Sequence, residues 1–479
     1  MRTRVRPRTV RPGWSRAEGL VLAGVAFGVA AAAWDVARGA RTRRANAGLL
    51  RGRRVVILGA GFAGVHVAEE LARLLPEADD AEITVVDERG YLLFTPMLTE
   101  VAGGELAPQH ITARTHALAP RVQVVRARVT HVDLAARRVT LGPVEGGGAG
   151  DGGPPPPAEL TADHLVLALG SASNFHHTPG AAEHALTMKS LADATAVRDR
   201  VLAMARQAAE EGDHGRRGEL LTVVVGGGGY TGVETMAAVN DLLRARARGR
   251  RNWHAAPVRD APVRAVLVEA GDRLLPELSE DLATFAQREL ERRGVEIRLK
   301  TKIARVDEHA VELAGGERIP TRTVVWAAGV AANPVLRDLP SAHDHEGRLV
   351  VDGTCVVPGH AGVWAVGDCA AIPRPGSDTP YGPTAQNATR EGTLVARNIV
   401  ATLRGQPTTP FTYRPIGELA LVGKRAGVAN VYGIHVSGFP AWALWRAVYL
   451  GKLPGTARRA RVALDWLADL ASGPAARGA

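Results

Sequence analysis

Short uninterrupted apolar runs, each closed by glycines and followed by apolar positions at helical spacing, recur along this chain. Val55, Val56, Ile57 and Leu58 make a β-branched run of the kind that predicts a strand covered on both faces. Gly59, Gly61 and Gly64 follow, and then Val65, Ala68, Leu71 and Leu75 mark a helix. A second strand over 83–86 delivers Asp87, and further strands are predicted over 122–125, 139–141 and 164–169. The stretch YLLFTPMLTEVAGG, 91–104, is too irregular to predict a regular element. From Leu221 the order repeats: strand 221–225, Gly227, Gly229 and Gly232, helix 233–243, and strand 263–268 ending in Glu269. Helix 281–293 and strand 295–299 complete the repeat. Strands alternating with helices predict an α/β protein with two parallel-sheet, Rossmann-like units.

The glycine spacing carries the chemistry. In GxGxxG the first glycine makes the tight turn, the second lets a pyrophosphate approach the backbone, and the third seats helix against strand. The motif alone is weak, but here a strand precedes it, a helix follows, and Asp87 lies twenty-three residues beyond Gly64, where a carboxylate meets an adenosine ribose. Glu269 holds the equivalent place in the second unit, at a strand end, although the basic insert between Leu243 and Val263 lengthens the spacing. It favours NAD(H), because a carboxylate repels a 2′-phosphate; Arg273 nearby works the other way. Two dinucleotide folds in one chain permit hydride transfer between a resident cofactor and a second nucleotide, which makes the first a flavin candidate. GVWAVGDCA, 362–370, fits that assignment by placing Gly367 and Asp368 after a short strand, within reach of a ribityl chain.

Composition narrows the partners. Of 479 residues, 46% are hydrophobic and 23% charged, a globular balance, and the net charge is +10. The basic clusters flank apolar segments near the two ends instead of lying among aromatic platforms, so an anionic membrane surface suits them better than nucleic acid. The only cysteines, Cys355 and Cys369, form neither a disulfide framework nor a metal pair. His176, His177 and His184 lack an acid or cysteine at ligand spacing and read as loop histidines, so no metal is expected. Residues 20–34, LVLAGVAFGVAAAAW, are shorter than the roughly 20 apolar residues of a comfortable span, with arginines on both flanks. They read either as a membrane anchor or as an extension outside the fold. EGGGAGDGGPPPP is a surface insert. Near the C-terminus Trp442, Trp445 and Tyr449 share one helical face; in a second helix Val462, Ala463, Trp466, Leu467 and Leu470 share another, opposite Asp465 and Asp469. With Arg458, Arg459 and Arg461 at its edge, this amphipathic pair predicts a membrane-binding region lying in the headgroup plane, and such a tail can also pair subunits as a homodimer.

From about Arg54 to Leu470 the chain resembles the two-dinucleotide-binding FAD flavoproteins related to the pyridine nucleotide-disulfide oxidoreductases, and within them the type II NADH dehydrogenases. VVILGAGFAG, FTPMLTEVAGG, LVLALGSASNF, VVVGGGGYTGVE, EAGDRLLP, VVWAAGV, GVWAVGDCA, PTAQNATREG and AWALWRAVYLGKLPG carry the likeness. The resemblance implies an NADH:quinone oxidoreductase that pumps no ions and works on the cytoplasmic side of the cell membrane. FAD would be held without a covalent bond by Gly59, Gly61, Gly64, Asp87, Gly367 and Asp368, and NADH by Gly227, Gly229, Gly232, Glu269 and the turn at Gly329. Glu234 would serve proton handling near the flavin. The quinone motif of the family, AQxxxQ, reads Ala385, Gln386 through to Arg390, so arginine replaces the second glutamine and an amide acceptor is lost. Neither cysteine has a partner at redox spacing, which separates the chain from disulfide reductases and sulfide:quinone oxidoreductases. The domains expected are a basic extension (1–53), a flavin unit in two parts (54–215 and 331–405), a nicotinamide unit (216–330) and the C-terminal region (406–479). A soluble electron acceptor, or a flavin-holding NADH sensor without turnover, are the alternatives.

Overall fold

The structure, a computed structural model, describes residue 46 and residues 52–75, 82–119, 121–144, 157–247 and 263–471. The apolar run 20–34, the glycine–proline insert from 145 on and most of the basic insert after 247 lie outside the described residues.

Two five-stranded parallel sheets repeat one layout. In the first, Val363–Ala365, His164–Leu167, Arg54–Leu58, Glu82–Asp87 and Gln123–Arg126 lie side by side; in the second, Leu186–Thr187, Thr323–Trp326, Thr222–Gly226, Arg264–Val268 and Val295–Arg298 do so. Each glycine-bearing strand is central, between the strand that carries the acid and one contributed from much later in the chain. Val55, Ile57 and Leu58 are fully buried, as a strand covered on both faces must be. Ser171–Ser173 pairs antiparallel with Val330–Ala332, and this two-stranded ribbon joins the units just after the strands His164–Leu167 and Thr323–Trp326, each the neighbour of a central strand. The first unit is completed by Val363–Ala365 and by the helix Ala385–Leu403, which crosses the helix Phe62–Leu74 so closely that a Cβ at Gly392 would lie 2.3 Å from Ala63 O. The boundary expected at 216 falls inside the second unit. Leu186–Thr187 is the edge strand of its sheet, and the capped helix Leu191–Glu210 packs into the same core.

Two sequence expectations change. Residues 91–104 are ordered as the strand Tyr91–Leu93, the 3-10 turn Thr95–Met97 and the helix Leu98–Ala102. Each piece is shorter than a period can register, and tertiary burial of Met97, Leu98 and Val101 stabilises them. The C-terminal helices, Phe439–Lys452 and Thr456–Ala471, form as expected beside the meander Gly417–Leu421, Gly427–Val431 and Ile434–Gly438, but their aromatic faces turn inward. Trp445 is 1% exposed, and Trp442, Val462 and Trp466 are also buried against the second unit, whereas Leu467 is 61% exposed. Asp465 is no solvated counter-face: its carboxylate bonds His110 Nδ1 at 2.6 Å and fastens the last helix to the turn Pro108–Ile111. The side chains of Asp469 and Leu470 lie outside the described set. Among the described residues no helix is long and apolar enough to cross a membrane.

This packing makes the tail part of the core. Trp445→Ala is expected to lower unfolding free energy by about 3–5 kcal/mol in lipid-free buffer, read from denaturant unfolding; an unchanged midpoint would show that the helix depends on lipid instead.

Candidate active site

Both glycine turns are built on the same close approaches. A Cβ on Gly59 would lie 2.3 Å from Ala168 O, and one on Gly64 would lie 1.9 Å from Gly59 O. In the second unit a Cβ on Gly227 would meet Ala327 O at 2.5 Å, and one on Gly232 would meet Gly227 O at 1.8 Å. The middle glycines differ: nothing lies within 4 Å of a Cβ built on Gly61 or on Gly229. The chain therefore packs against itself at the first and third positions and leaves the middle backbone accessible at a helix N-terminus, the arrangement that receives a pyrophosphate. This geometry fits a dinucleotide at both turns.

The two strand-end acids do more than the ribose role anticipated. Asp87 Oδ2 accepts from Ala60 N at 2.9 Å, and its Oδ1 accepts from Arg89 N at 2.7 Å and Gly90 N at 3.1 Å. Glu269 likewise accepts from Gly228 N and Gly271 N, both at 2.5 Å. Ala60 and Gly228 occupy the same place between the first two glycines, so each carboxylate fixes its turn before any ligand arrives. The environments diverge, however, because Asp87 is buried while Glu269 is half-buried beside exposed Ala270, Gly271 and Asp272.

Asp368 faces the first cradle beside residues that sequence reading passed over. Ser171 Oγ donates to Asp368 Oδ2 at 2.7 Å and receives a bond from Lys189 Nζ at 2.8 Å. Lys189 precedes the helix of the second unit, so the contact spans the two units, and burial lowers its pKa while Asp368 opposes that shift. Gly367, at φ +72°, donates its N–H to Glu391 Oε2 at 2.7 Å; burial pushes Glu391 up to about 7. Glu391 stands inside PTAQNATREG, and a glutamate in mid-helix carries no sequence mark of burial. Gly329, at φ +123°, turns the chain after Thr323–Trp326, with His176 Nε2 bonded to Ala328 O at 2.7 Å beside it. Among the described residues no group of His, Cys, Asp and Glu could hold a metal ion, and Cys355 and Cys369 are free and buried.

Glu234 lies one turn into the helix Tyr230–Ala247 that starts from the second cradle. Its Oε1 accepts from Leu421 N at 2.9 Å, and Trp445 adds a side-chain bond. Loss of water around it outweighs both bonds and pushes the carboxyl up to about 8. The first cradle reaches the same place through aromatic rings: Phe62, next to Gly61, lies 5.8 Å from Phe94, and Phe94 lies 6.2 Å from Tyr449, whose hydroxyl is held protonated by burial and by Glu234. Gln386 stands near this region with both ends of its amide bonded, since Nε2 donates to Gly417 O and Oε1 accepts from Tyr413 OH, both at 2.9 Å. Arg390 lies with its guanidinium 4.0 Å over the Tyr413 ring and donates to Gln386 O at 2.9 Å. Its charge, after desolvation, helps to lower the Lys452 pKa.

Two nucleotide cradles, a ribbon between them and one interior carboxylate reached from both sides define a two-domain dinucleotide-binding oxidoreductase. The family described as pyridine nucleotide-disulphide oxidoreductase matches residues 53–392, and the NDH2 C-terminal domain matches residues 416–473. A type II NADH:quinone oxidoreductase of Mycobacterium tuberculosis is 31% identical over 87% of this chain and 88% of its own length. The demethylphylloquinone reductase of Synechocystis is 29% identical, over 86% of this chain and 95% of its own length. The structure of NDH2 from Plasmodium falciparum in complex with NADH superposes with a TM-score of 0.76 at 18% identity, over 87% of this chain and 98% of that one, and shows the same fold. The chain belongs to the pyridine nucleotide-disulphide oxidoreductase family, in the branch of the type II NADH:quinone oxidoreductases.

The cradle geometry separates two kinds of glycine. Gly61→Ala is expected to melt within about 2 °C of the parent in the cofactor-free protein yet to weaken FAD binding at least about tenfold, because the methyl group occupies the pyrophosphate side. Gly64→Ala, which forces helix and strand apart, is expected to destabilise the cofactor-free protein itself; calorimetry and flavin titration of both variants check the contrast.

Proposed function

We propose that the protein oxidises NADH and reduces a membrane quinone, taking up one proton from water and pumping no ions. The convergence of both cradles on Glu234 carries this reading. FAD fits the first cradle, where Gly59, Gly61, Gly64, Asp87, Gly367 and Asp368 would hold it, and when bound it supplies two-electron chemistry between nicotinamide and acceptor. The second cradle would take NADH on Gly227, Gly229 and Gly232, with Glu269 at the ribose selecting against a 2′-phosphate and Gly329 bordering the nicotinamide. With a pKa raised to about 8, Glu234 carries a proton at neutral pH and is placed to give it to a reduced acceptor oxygen. Gln386, tied to Gly417 O and Tyr413, would shape the acceptor pocket through the strand it holds, while Arg390 would supply the cationic donor that the second glutamine of the family motif lacks.

Attachment to the membrane would use apolar side chains that remain exposed. These are Tyr432 and Ile434 at the meander tip, 78% and 67% exposed, with Ile416, Phe439, Leu464 and Leu467. Arginines 458, 459 and 461, near the start of the last helix, would add attraction to anionic lipid, placing the enzyme on the cytoplasmic face where NADH is available. A second copy of the chain is the competing occupant of this surface.

The deciding assay follows NADH and NADPH oxidation by short-chain menaquinone and ubiquinone with FAD and phospholipid present. Rapid turnover with NADH, at least about tenfold slower turnover with NADPH, and quinone-dependent reoxidation of the flavin are expected. A flavin bleached by NADH that no quinone reoxidises would overturn the quinone reading in favour of a soluble acceptor or a sensor. The double variant Tyr432→Ser, Ile434→Ser is expected to bind anionic vesicles about tenfold more weakly while oxidising NADH with a water-soluble quinone at the parental rate. Parental vesicle binding together with a change of mass in solution would assign the surface to a dimer.

A further inference from the structure

Beneath the C-terminal helices sits a group of buried charges that hydride transfer itself does not use. Glu100, on the helix Leu98–Ala102, is 2% exposed. Its Oε1 accepts from Trp466 Nε1 at 3.0 Å and from Arg446 Nη2 at 3.2 Å, and the same Nη2 donates to Glu105 Oε2 at 2.9 Å. The Arg446 guanidinium is layered between the rings of Trp442 and Trp466, 4.2 and 4.6 Å from their centroids. The charges acting on Glu100 are Glu105, Glu234 and one cation, Arg446. An excess of carboxylates over cations in a dry interior leaves a proton on one of them, and burial pushes Glu100 up to about 8.

Geometry links this group to Glu234. The helix carrying Glu100 packs on the helix carrying Glu234 so tightly that a Cβ at Gly103 would lie 3.0 Å from Ala238 Cβ. Glu100 is one turn before Gly103, and Glu234 and Thr235 are one turn before Ala238, so both acids flank the same crossing. Around it, Glu100 Oε2, Arg446 Nε, Arg446 Nη1 and Thr235 Oγ1 are buried without a hydrogen-bond partner among the described residues. Orphaned polar atoms gathered in one place are the setting in which internal water is held. At the other end Glu105 lines a surface cavity of about 910 Å³, together with Arg198, Asp199, Arg206 and Asp465. Tyr230 and Tyr449 face Glu234 from the inner side, and His110 faces the cavity side through its bond to Asp465.

We propose that Glu105, Glu100 and Glu234 form a proton supply line from this cavity to the acceptor, with internal water bridging the gaps and Arg446 fixing the first two carboxyls. The inference rests on the quinone reading above. Reduction of a quinone to its quinol consumes two electrons and two protons, and NADH supplies both electrons with one proton as hydride. The second proton comes from solvent and must cross the buried interior. Glu234 gives its proton to the reduced oxygen, Glu100 restores it, and Glu105 at the cavity recharges Glu100, each carboxyl returning to its starting state. Glu100 acts through Glu234 and is a positioning and relay residue, not a catalytic one.

Glu100→Gln keeps the shape and the acceptor for Trp466 but carries no transferable proton. In the FAD-loaded protein, bleaching of the flavin by NADH, which needs no proton from solvent, is expected to stay within about twofold of the parent. Reoxidation by quinone is expected to slow about tenfold below pH 8, and the two pH curves are expected to converge well above pH 8, where the parental Glu100 has also lost its proton. A merely structural defect would slow both half-reactions, or would slow reoxidation equally at every pH. Infrared titration gives a readout apart from turnover: Glu100 and Glu234 both contribute protonated-carboxyl absorbance titrating near pH 8 in the parent, and the variant is expected to lose the Glu100 share and keep that of Glu234. Equal reoxidation rates across the pH range, or an unchanged carboxyl band, would overturn the proposal. Should Glu100→Gln fail to fold, Glu105→Gln at the cavity must slow reoxidation, and parental rates there would overturn it. A parent that reduces no quinone would instead sink the functional reading.

Discussion

A methyl group cannot be accommodated where the first and third glycines of each turn pass a carbonyl oxygen, and the architecture follows from that exclusion. Only because Gly64 lies on Gly59 O and Gly232 on Gly227 O does a helix begin directly off the central strand, with its N-terminal N–H groups aimed into the cleft. The acid at the end of the next strand then closes on the turn through Ala60 N or Gly228 N. One local solution, used twice, generates two sheets of the same order, and the ribbon 171–173 with 330–332 joins them just beyond the strands next to the central ones. Each cleft opens outside the carboxyl ends of the strands, where parallel sheets place their ligands.

The C-terminal helices supply what the two repeats lack, an interior wall. Their tryptophans cover the second unit, and Leu421 and Trp445 reach Glu234. Burial there is apolar in area and charged at its centre: Arg446 lies between two indole rings with two carboxylates on its Nη2. Such an arrangement is a poor way to gain stability, since desolvation of the ions consumes much of their attraction. Its presence under a redox site is more readily understood as control of proton affinity than as structural support.

The sequence made the repeated strand, turn and helix legible because glycine spacing and β-branched runs are local signals. Asp87, Glu269, Gly367 and Asp368 are legible as candidates for the same reason: each stands at or just after the end of a strand. Glu391, Lys189, Ser171 and Glu100 were not found, because their burial is decided by segments far away in the chain. The tail misled in a specific way. Trp442, Trp445 and Trp466 are at helical spacing whether they meet lipid or protein, and periodicity reports a buried face without naming what buries it. Gln386 shows the same limit. The motif marks it as an acceptor-site candidate, and only the fold reveals that Tyr413 and Gly417 bond its amide.

Equal cradles with unequal covers explain how one chain can hold one nucleotide and exchange another. Over the first cradle, the helix Ala385–Leu403 is locked to the helix Phe62–Leu74 by the approach of Gly392 to Ala63 O and by Glu70, which pairs with Arg397 at 2.8 Å. Gly367 brings the following segment to within contact of Ala63, and Asp87 is buried. A ligand enclosed there leaves only if packed helices separate, a motion opposed by the core of the unit. At the second cradle the crossing falls farther along: the helix Leu98–Ala102 meets Tyr230–Ala247 at Ala238, about two turns past the glycines, while Thr231 and residues 270–272 are exposed and Glu269 stands at the edge. A nucleotide there is bounded by a turn and a carboxylate and can depart without disturbing the sheet. With flavin proposed for the first cradle and NADH for the second, a longer residence of the cofactor would follow from what the chain places over each turn, since the turns themselves are alike.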